Sequence, residues 1–203
     1  MHSRLPFPLA KILCTAMLSA ALMSCVSFGA KAPPSLLVLT ATNQVAPGAT
    51  KIGVPADALI VLLPDVPRKL DTNRVPIQIN DSSIAYLKDA VWADKPSRLM
   101  QLLLVETITA KNDQLVLSEV DAGGKAGSYL SGSLSEFGID MRSNQAVVIY
   151  DAVRIVKGNA LQKRRFEARE NVGAILPSPA SEALNKAANK VASDIAKWVA
   201  AKP

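Results

Sequence analysis

In AVVIYDAVRIVKGNALQKRRFEARE, residues 146–170, two runs of strand-forming residues flank a short turn signal. The runs Ala146–Val156 and Ala160–Glu170 are joined by Gly158 and Asn159. A two-residue loop that begins with Gly is typical of a type II′ turn, which connects antiparallel strands tightly. This stretch therefore predicts the most clearly marked β-hairpin of the chain.

The second strand of this hairpin has two different faces. Phe166 and Ala168 point to one side, and the charged residues that alternate with them point to the other: Arg165, Glu167 and Arg169. We therefore expect one face to be buried and the other to be in solvent. The basic triplet Lys163-Arg164-Arg165 has two interpretations, contact with anionic headgroups or protection of an exposed sheet edge, and we favour the second.

The segment before the hairpin, Tyr129–Met141, alternates but changes phase in the middle. A bulge near Ser135-Glu136 would keep both sets of apolar residues on the core side of one long strand. The first set is Leu130, Gly132 and Leu134, and the second is Phe137, Ile139 and Met141.

Shorter strands are predicted upstream from apolar runs bounded by turn residues. Two of them form a hairpin in which Pro76 restricts the first strand to a sheet edge or to its own start. Residues 41–57 are predicted as a loop and residues 121–127 as a Gly-rich turn. The predicted strands are Leu36–Leu39, Leu59–Leu63, Val75–Ile79, Ser83–Leu87 and Leu115–Leu117.

Two main helices complete the pattern. The first follows Asp94, a possible cap, and Pro96, which the first turn tolerates; its apolar face is Met100, Leu103, Leu104, Thr107 and Ile108. The second covers about Ala180–Ala200, with an apolar stripe of Leu184, Ala187, Ala188, Val191, Ile195, Trp198 and Val199. This order of elements favours a single α+β domain with two helices packed on a mixed or antiparallel sheet.

Residues 1–24 have the layout of a secretory signal peptide, with basic residues before an apolar run. The run ends in Leu22-Met23-Ser24-Cys25, which resembles the bacterial lipobox, where the Cys thiol receives a diacylglyceryl group and the chain is cleaved before it. We predict lipidation of Cys25, a tether at residues 25–35 and a folded domain at residues 36–203. Val26, in place of an Asp, favours sorting to the outer membrane, facing the periplasm.

Two other interpretations of the N-terminus stay open. Ile12–Ala30 is 19 fairly apolar residues, close to the length that spans a bilayer, so it could be an uncleaved anchor. The segment could also be an ordinary secretory signal in which Cys25 is incidental.

The positions of His and Cys exclude most familiar catalytic sites from the mature chain. The one His and two Cys are His2, Cys14 and Cys25. A domain without imidazole or free thiol cannot build a Ser-His-Asp site, a Cys-His site or an ordinary zinc site. We therefore expect no cofactor, no metal and no enzymatic activity.

The charge balance argues against nucleic acid as a partner. The formal charge is +6, and removal of Arg4 and Lys11 leaves 21 basic against 17 acidic residues, or +4. Binding to nucleic acid requires a dense basic face, which so small an excess does not supply. The chain also lacks the GxxxxGK[ST] motif, so it does not supply P-loop ATP hydrolysis.

Several short motifs resemble the ABC-type transport auxiliary lipoprotein family over about residues 36–200. They are Leu70-Asp71-Thr72-Asn73-Arg74-Val75, Ile84-Ala85-Tyr86, and Ala90-Val91-Trp92-Ala93-Asp94 with Pro96. The resemblance implies an accessory lipoprotein of an MCE-type ABC system that moves phospholipid or other hydrophobic molecules across the envelope. It implies an MCE-domain protein, a permease and an ATPase as partners, and it allows a homo-oligomer.

Arg74, Tyr86 and Trp92 have two interpretations. Arg, Tyr and Trp are enriched at binding hot spots, so the three could form a partner surface. Alternatively, Tyr86 and Trp92 close the core and Arg74 pairs with a carboxylate, which we favour because large aromatic residues in an aromatic-poor domain usually belong to the core.

Two other functions are alternatives to the transport role. One is a structural lipoprotein that assists insertion of outer-membrane proteins or lipopolysaccharide. The other is an envelope hydrolase that uses a carboxylate pair. The spacing of the candidate acids does not support a pair: Asp65, Asp71, Asp81 and Glu106.

Lipidation of Cys25 is tested by metabolic labelling with a palmitate analogue. We expect the wild-type protein to be labelled and Cys25→Ala to be unlabelled, because only the thiol of Cys25 accepts the diacylglyceryl group. A wild-type protein without label, or a Cys25→Ala protein that still carries it, would contradict the lipoprotein interpretation.

Overall fold

The structure, a computed structural model, describes residues 35–156 and 161–201. The predicted signal peptide, Cys25, nearly all of the tether and the Gly158-Asn159 turn lie outside these ranges. Seven strands and three α-helices form the described part of the chain. The strands are β1 (Leu59–Val61), β2 (Arg74–Asn80), β3 (Ser83–Val91), β4 (Val116–Leu117), β5 (Ser128–Asp140), β6 (Gln145–Val156) and β7 (Gln162–Asn171), and the helices are α1 (Pro96–Lys111), α2 (Glu119–Ala122) and α3 (Pro177–Ala200).

Strand β5 is the centre of one mixed sheet. Along its whole length β5 pairs antiparallel with β6, which pairs antiparallel with β7. The other edge of β5 is shared by two parallel partners, β1 near its start and β2 near its end. Strand β1 then pairs with β4, and β2 with β3. The α+β class predicted from the sequence is confirmed.

The bulge predicted in β5 is present. The register with β6 shifts between Leu134 and Glu136, so Ser135 is the extra residue. Leu134 and Phe137, which have opposite parity, are both fully buried on the same side. Met141 was expected in this strand, but it follows the strand's last residue and is exposed, because the chain turns toward β6 there.

The β6–β7 hairpin also follows its prediction. Phe166 and Ala168 are buried, whereas Arg165, Glu167 and Arg169 are exposed. Among the described strands, β7 pairs with β6 alone, so it is an edge of the sheet. Its charged face fits the interpretation that Lys163-Arg164-Arg165 protects an edge.

Helices α1 and α3 pack against each other and cover one face of the sheet. The core between them and the strands contains the aromatic pair Trp92–Phe137, with ring centroids 5.3 Å apart. On the opposite face, Ala122 of α2 joins Ile60 and Ala126 in a smaller apolar cluster. Within residues 35–156 and 161–201, no other helix covers that face, which we call the open face.

The segment before β1 crosses the helix pair and is held by side chains of both helices. Asn189 of α3 accepts a hydrogen bond from the backbone N–H of Thr42 (2.7 Å), and Glu106 of α1 accepts one from Val45 (2.7 Å). The Lys51 ammonium group donates to carbonyl groups at the end of α1. This segment therefore fixes the N-terminal part of the domain to the helix layer.

Three local predictions differ from the structure. Leu36–Leu39 is not a strand, because only Leu37 forms a bridge, to Trp92. Asp94 does not cap α1. Lys95 occupies the cap position, and its side chain forms no capping hydrogen bond. The Asp94 carboxylate accepts a hydrogen bond from the backbone N–H of Lys95 instead. The Gly-rich turn begins with α2, because Ser118 caps that short helix and Gly123 ends it in a left-handed conformation.

The structure also corrects the prediction that Pro76 restricts its strand to a sheet edge or to the start of the strand. Strand β2 lies between β3 and β5 and is therefore not an edge strand. Pro76 is its third residue, next to a register shift with β3, and the ladder with β5 begins only at Ile77. The missing N–H of Pro76 consequently removes no bond from the β2–β5 ladder.

Replacement of Gly138 is expected to destabilise the junction of β2 and β5. A Cβ atom there would lie 2.5 Å from the carbonyl oxygen of Pro76, so the backbone must move. Overpacking of this kind costs about 1–3 kcal/mol, and each kcal/mol lowers the Tm of a domain this size by about 2–4 °C. Thermal unfolding of Gly138→Ala by circular dichroism measures the loss.

Gly53→Ala is the matched control for this prediction. A Cβ atom at Gly53 would lie 3.5 Å from the Leu115 side chain, an ordinary contact. We expect its Tm to stay close to wild type. Equal Tm values for Gly138→Ala and wild type would show that the junction is looser than its geometry indicates.

Candidate interaction surface on the open face of the sheet

A cleft of about 560 Å³ lies on the open face, where β2, β3, β5 and β6 come together. Its floor is apolar and is formed by Pro76, Ile84, Val147 and Ile149. Gly138 also lines the cleft, and the absence of a side chain there lets Pro76 pack directly against the backbone of β5. We call this feature the cleft.

The register of the strands places these residues on one face. Gly138 is paired with Val147, and Glu136 with Ile149, across β5 and β6. Gln78 of β2 is paired with Ile84 of β3. Paired residues in a sheet lie on the same side, so these three neighbouring pairs all face the cleft.

Ion pairs form the rim of the cleft. The Lys69 ammonium group lies 2.5 Å from the Glu136 carboxylate. Arg142 lies 3.1 Å from Asp140 and also pairs with Asp81. The bond from Arg142 lowers the pKa of Asp140 below its usual value, against a smaller opposing effect of burial. The rim therefore carries both signs of charge around an apolar floor.

A further ion pair continues the open face toward β7. Arg165 donates two hydrogen bonds to Asp151, of 2.8 and 2.9 Å, and the Ser135 hydroxyl donates a third of 2.8 Å. The bond from Arg165 is the main reason that the pKa of Asp151 is lowered; burial opposes it and Ser135 reinforces it. Ser135, the bulge residue of β5, thus contributes to this network.

Arg74 and Tyr86 meet beside the cleft. The Arg74 guanidinium lies over the Tyr86 ring, 4.3 Å from its centroid, and the Tyr86 hydroxyl donates a 3.3 Å hydrogen bond to the Lys69 carbonyl. Tyr86 is paired with Pro76 of the cleft floor, and Arg74 with Val91. The stacked pair therefore continues the same surface along β2 and β3.

Trp92 does not join Arg74 and Tyr86. Its side chain is fully buried and packs against Phe137 on the helix side of the sheet. Trp92 therefore offers no surface to a partner in this structure, and its side chain is part of the core. A partner role for Arg74 and Tyr86 stays a proposal.

The four acids considered for a hydrolase occupy separate contacts. Asp71 lies 2.6 Å from Lys95, whose hydrogen bond lowers the pKa of Asp71, and Asp81 pairs with Arg142. Glu106 accepts the bond from Val45, and the Asp65 backbone is bridged to Ser133. Across residues 35–156 and 161–201, no three His, Cys, Asp or Glu residues are grouped as a metal site.

The cleft was not predicted from the sequence, although β6 contains a signal for it. Val147, Val148 and Ile149 are three consecutive apolar residues, and only Val148 faces the helices. A strand with one solvated face alternates strictly, so this run indicates that part of the second face is also apolar.

In the part of the chain that the structure describes, no helix has both the length and the apolar character that crossing a membrane requires.

Comparisons with known proteins identify a family. Residues 38–196 match the family described as ABC-type transport auxiliary lipoprotein component. The crystal structure of XCC0632 from Xanthomonas campestris, a DUF330 protein, aligns with a TM-score of 0.68 at 14% identity and covers 81% of this chain and 94% of its own. Another crystal structure, of an uncharacterized protein, aligns with a TM-score of 0.60 at 16% identity over 74% of this chain and 96% of its own. Both show a shared fold. No curated protein matches the sequence.

Asp151→Asn is expected to lower stability at neutral pH but not in acid. Because the folded-state pKa of Asp151 is lowered, its stabilisation is complete above the unfolded value of about 3.9 and is lost as the pH falls through the folded value. We expect a Tm about 1–3 °C below wild type at pH 7.

The same comparison in steps from pH 7 into acid checks the sign, because the difference must shrink as the pH falls through the lowered pKa of Asp151. The two Tm values should converge there. Glu167→Gln is the control, since Glu167 forms an ion pair with Arg169 in which both side chains are exposed. A difference for Asp151→Asn that persists in acid would mean that the ion pair is not its cause.

Proposed function

The chain belongs to the ABC-type transport auxiliary lipoprotein family, and from this premise we propose that it is the accessory lipoprotein of an MCE-type ABC system. In this proposal it is tethered to the outer membrane through acylated Cys25 and faces the periplasm. The system moves phospholipid or another hydrophobic molecule across the envelope. The ATPase, the permease and the MCE-domain protein are separate chains.

The family match is the observation that carries this proposal. It extends from residue 38 to residue 196, so it includes every strand and nearly all of α3. The family is described as an auxiliary component of transport, which is consistent with a protein that binds and positions others and does not itself catalyse a reaction.

The cleft and the Arg74–Tyr86 pair are the proposed docking surface for the MCE-domain partner. Protein interfaces have an apolar centre and a polar rim, and the cleft offers an apolar floor surrounded by ion pairs. Arg and Tyr are over-represented among the side chains that contribute most to binding. Ile84, in the floor of the cleft, is 41% exposed, so a partner can bury it.

A homo-oligomer is part of the same proposal. Several copies on the membrane would offer one partner several identical docking surfaces, which raises the total affinity without any new contact. Light scattering on the purified lipoprotein in mild detergent measures the number of copies.

Affinity purification from detergent-solubilised envelopes tests the proposal. We expect the tagged wild-type lipoprotein to recover the ATPase, the permease and the MCE-domain protein. Ile84→Lys and Arg74→Ala should each reduce recovery of the MCE-domain protein by about tenfold or more, because removal of a hot-spot contact has at least that effect.

Two substitutions away from the cleft serve as controls. Val120→Lys adds the same charge at an exposed apolar position on α2, and Arg98→Ala removes an exposed Arg on α1. Both should recover partners as well as wild type does. Recovery of an outer-membrane β-barrel in place of the MCE-domain protein would favour the assembly role instead. Failure to recover any transport component, with unchanged envelope permeability in a deletion strain, would count against the proposal.

A further inference from the structure

A small apolar patch lies where the described chain begins. Leu36 is 53% exposed and Val38 is 55% exposed, although Leu37 between them is buried in the core. The backbone of Leu37 is bonded to both sides of Trp92: its N–H donates to Val91 (2.8 Å) and its carbonyl accepts from Ala93 (2.8 Å). These bonds fix the position of the patch, which we call the N-terminal corner: Leu36, Val38 and Val91.

The pairing also fixes the side of the sheet to which the corner belongs. Leu37 and Trp92 form a parallel bridge, and both side chains face the core. Successive residues of extended chain point to opposite sides, so Leu36, Val38 and Val91 point toward the open face. Val91 is paired with Arg74, whose guanidinium lies over Tyr86. The Arg74–Tyr86 pair therefore separates the N-terminal corner from the cleft.

The length of chain before the corner limits how far it can lie from the predicted anchor. Ten residues lie between Cys25 and Leu36, which makes eleven steps of chain from one to the other. Fully extended, they span no more than about 40 Å. Leu36 and Val38 are therefore close to the start of the described chain and to the predicted anchor.

We propose that the N-terminal corner docks on the bilayer that holds the acyl chains of Cys25, with Leu36 and Val38 inserted at the level of the headgroups. This inference rests on the proposed lipidation. Apolar side chains gain when they enter the boundary between headgroups and acyl chains, and the short tether keeps the corner at a high local concentration near that boundary. The domain then has one orientation on the membrane, with the cleft on the far side of Arg74–Tyr86 from the corner.

Fluorescent labelling of single cysteines tests this proposal. Acylation blocks Cys25, so a Cys introduced at Val38 is the only free thiol of the mature lipoprotein. Labelled with NBD and inserted in phosphatidylethanolamine–phosphatidylglycerol vesicles, V38C should emit at shorter wavelength and resist quenching by iodide. Cysteines at Ile52, 96% exposed, and Val120, 89% exposed, are matched controls that should stay accessible to iodide.

A second substitution checks that the patch itself is responsible. Leu36→Ser in the labelled V38C protein should lower the ratio of docked to undocked domain about tenfold and restore quenching, because a buried Leu contributes at least that factor. The acyl anchor is unchanged in this variant. The protein should therefore still float with the vesicles.

Three results would overturn the proposal. Iodide quenching at Val38 equal to that at Ile52 in vesicles would show that the corner does not dock. Protection of the label in a Cys25→Ala protein expressed without residues 1–24, in the absence of vesicles, would show that a second copy covers the corner. Mass spectrometry that finds no acyl group on Cys25 would remove the tether on which the inference rests. The first two results leave the proposed function unchanged, because partner recovery is measured separately, whereas the third also removes the anchor from the proposed function.

Discussion

The pairing of β5 on both of its edges is the constraint on which the rest of the fold depends. One edge is occupied along its whole length by β6. The other is divided between β1 and β2, which both run parallel to β5. Between them the chain follows β5 as far as Asp65, whose backbone bonds to Gly132 and Leu134. A 13-residue strand can pair with all these partners only if it bends. The bulge at Ser135 produces the bend and keeps Leu134 and Phe137 in the same core.

The bulge also determines what lies on the open face. It turns Ser135 away from the helices, where its hydroxyl bonds to Asp151. After the bulge, Glu136 and Gly138 lie on the open face. Glu136 forms an ion pair with Lys69, and Gly138, which has no side chain, allows the close approach of Pro76. The cleft and the core are therefore produced by the same change of phase. A strand of regular alternation would have put Phe137 on the open face and Gly138 in the core.

Much of the fold could be predicted from the sequence because it is recorded in local periodicity. The faces of β7, the bulge in β5 and the buried stripe of α3 each follow from which residues are apolar. The neighbours of β5 could not be predicted, because periodicity shows which side of a strand is buried and not which strand lies beside it. Pro76 illustrates this limit: its strand lies inside the sheet, and the local break in the ladder that makes this possible depends on β5.

The candidate site was harder to predict for the same reason. Arg74 and Tyr86 were singled out by residue type, but their stacking depends on the register between β2 and β3. Trp92 was singled out by residue type as well, but its side chain lies in the core, because the bridge to Leu37 fixes it on that side of the sheet. The cleft has no sequence motif at all. It results from Gly138, Ile84 and Val147, which come from three strands and are brought together by tertiary pairing.

One hairpin links the two proposed contacts of the domain. Ile84 and Gln78, at one end of the β2–β3 pair, line the cleft, and Val91 at the other end belongs to the N-terminal corner. The β2–β3 register shifts between the two regions, and the Arg74–Tyr86 stack spans that shift. If the corner is held against the bilayer, the direction in which the cleft faces is fixed by the sheet and not by the tether. A flexible tether alone would only limit distance, so the orientation of a partner docked in the cleft depends on the corner.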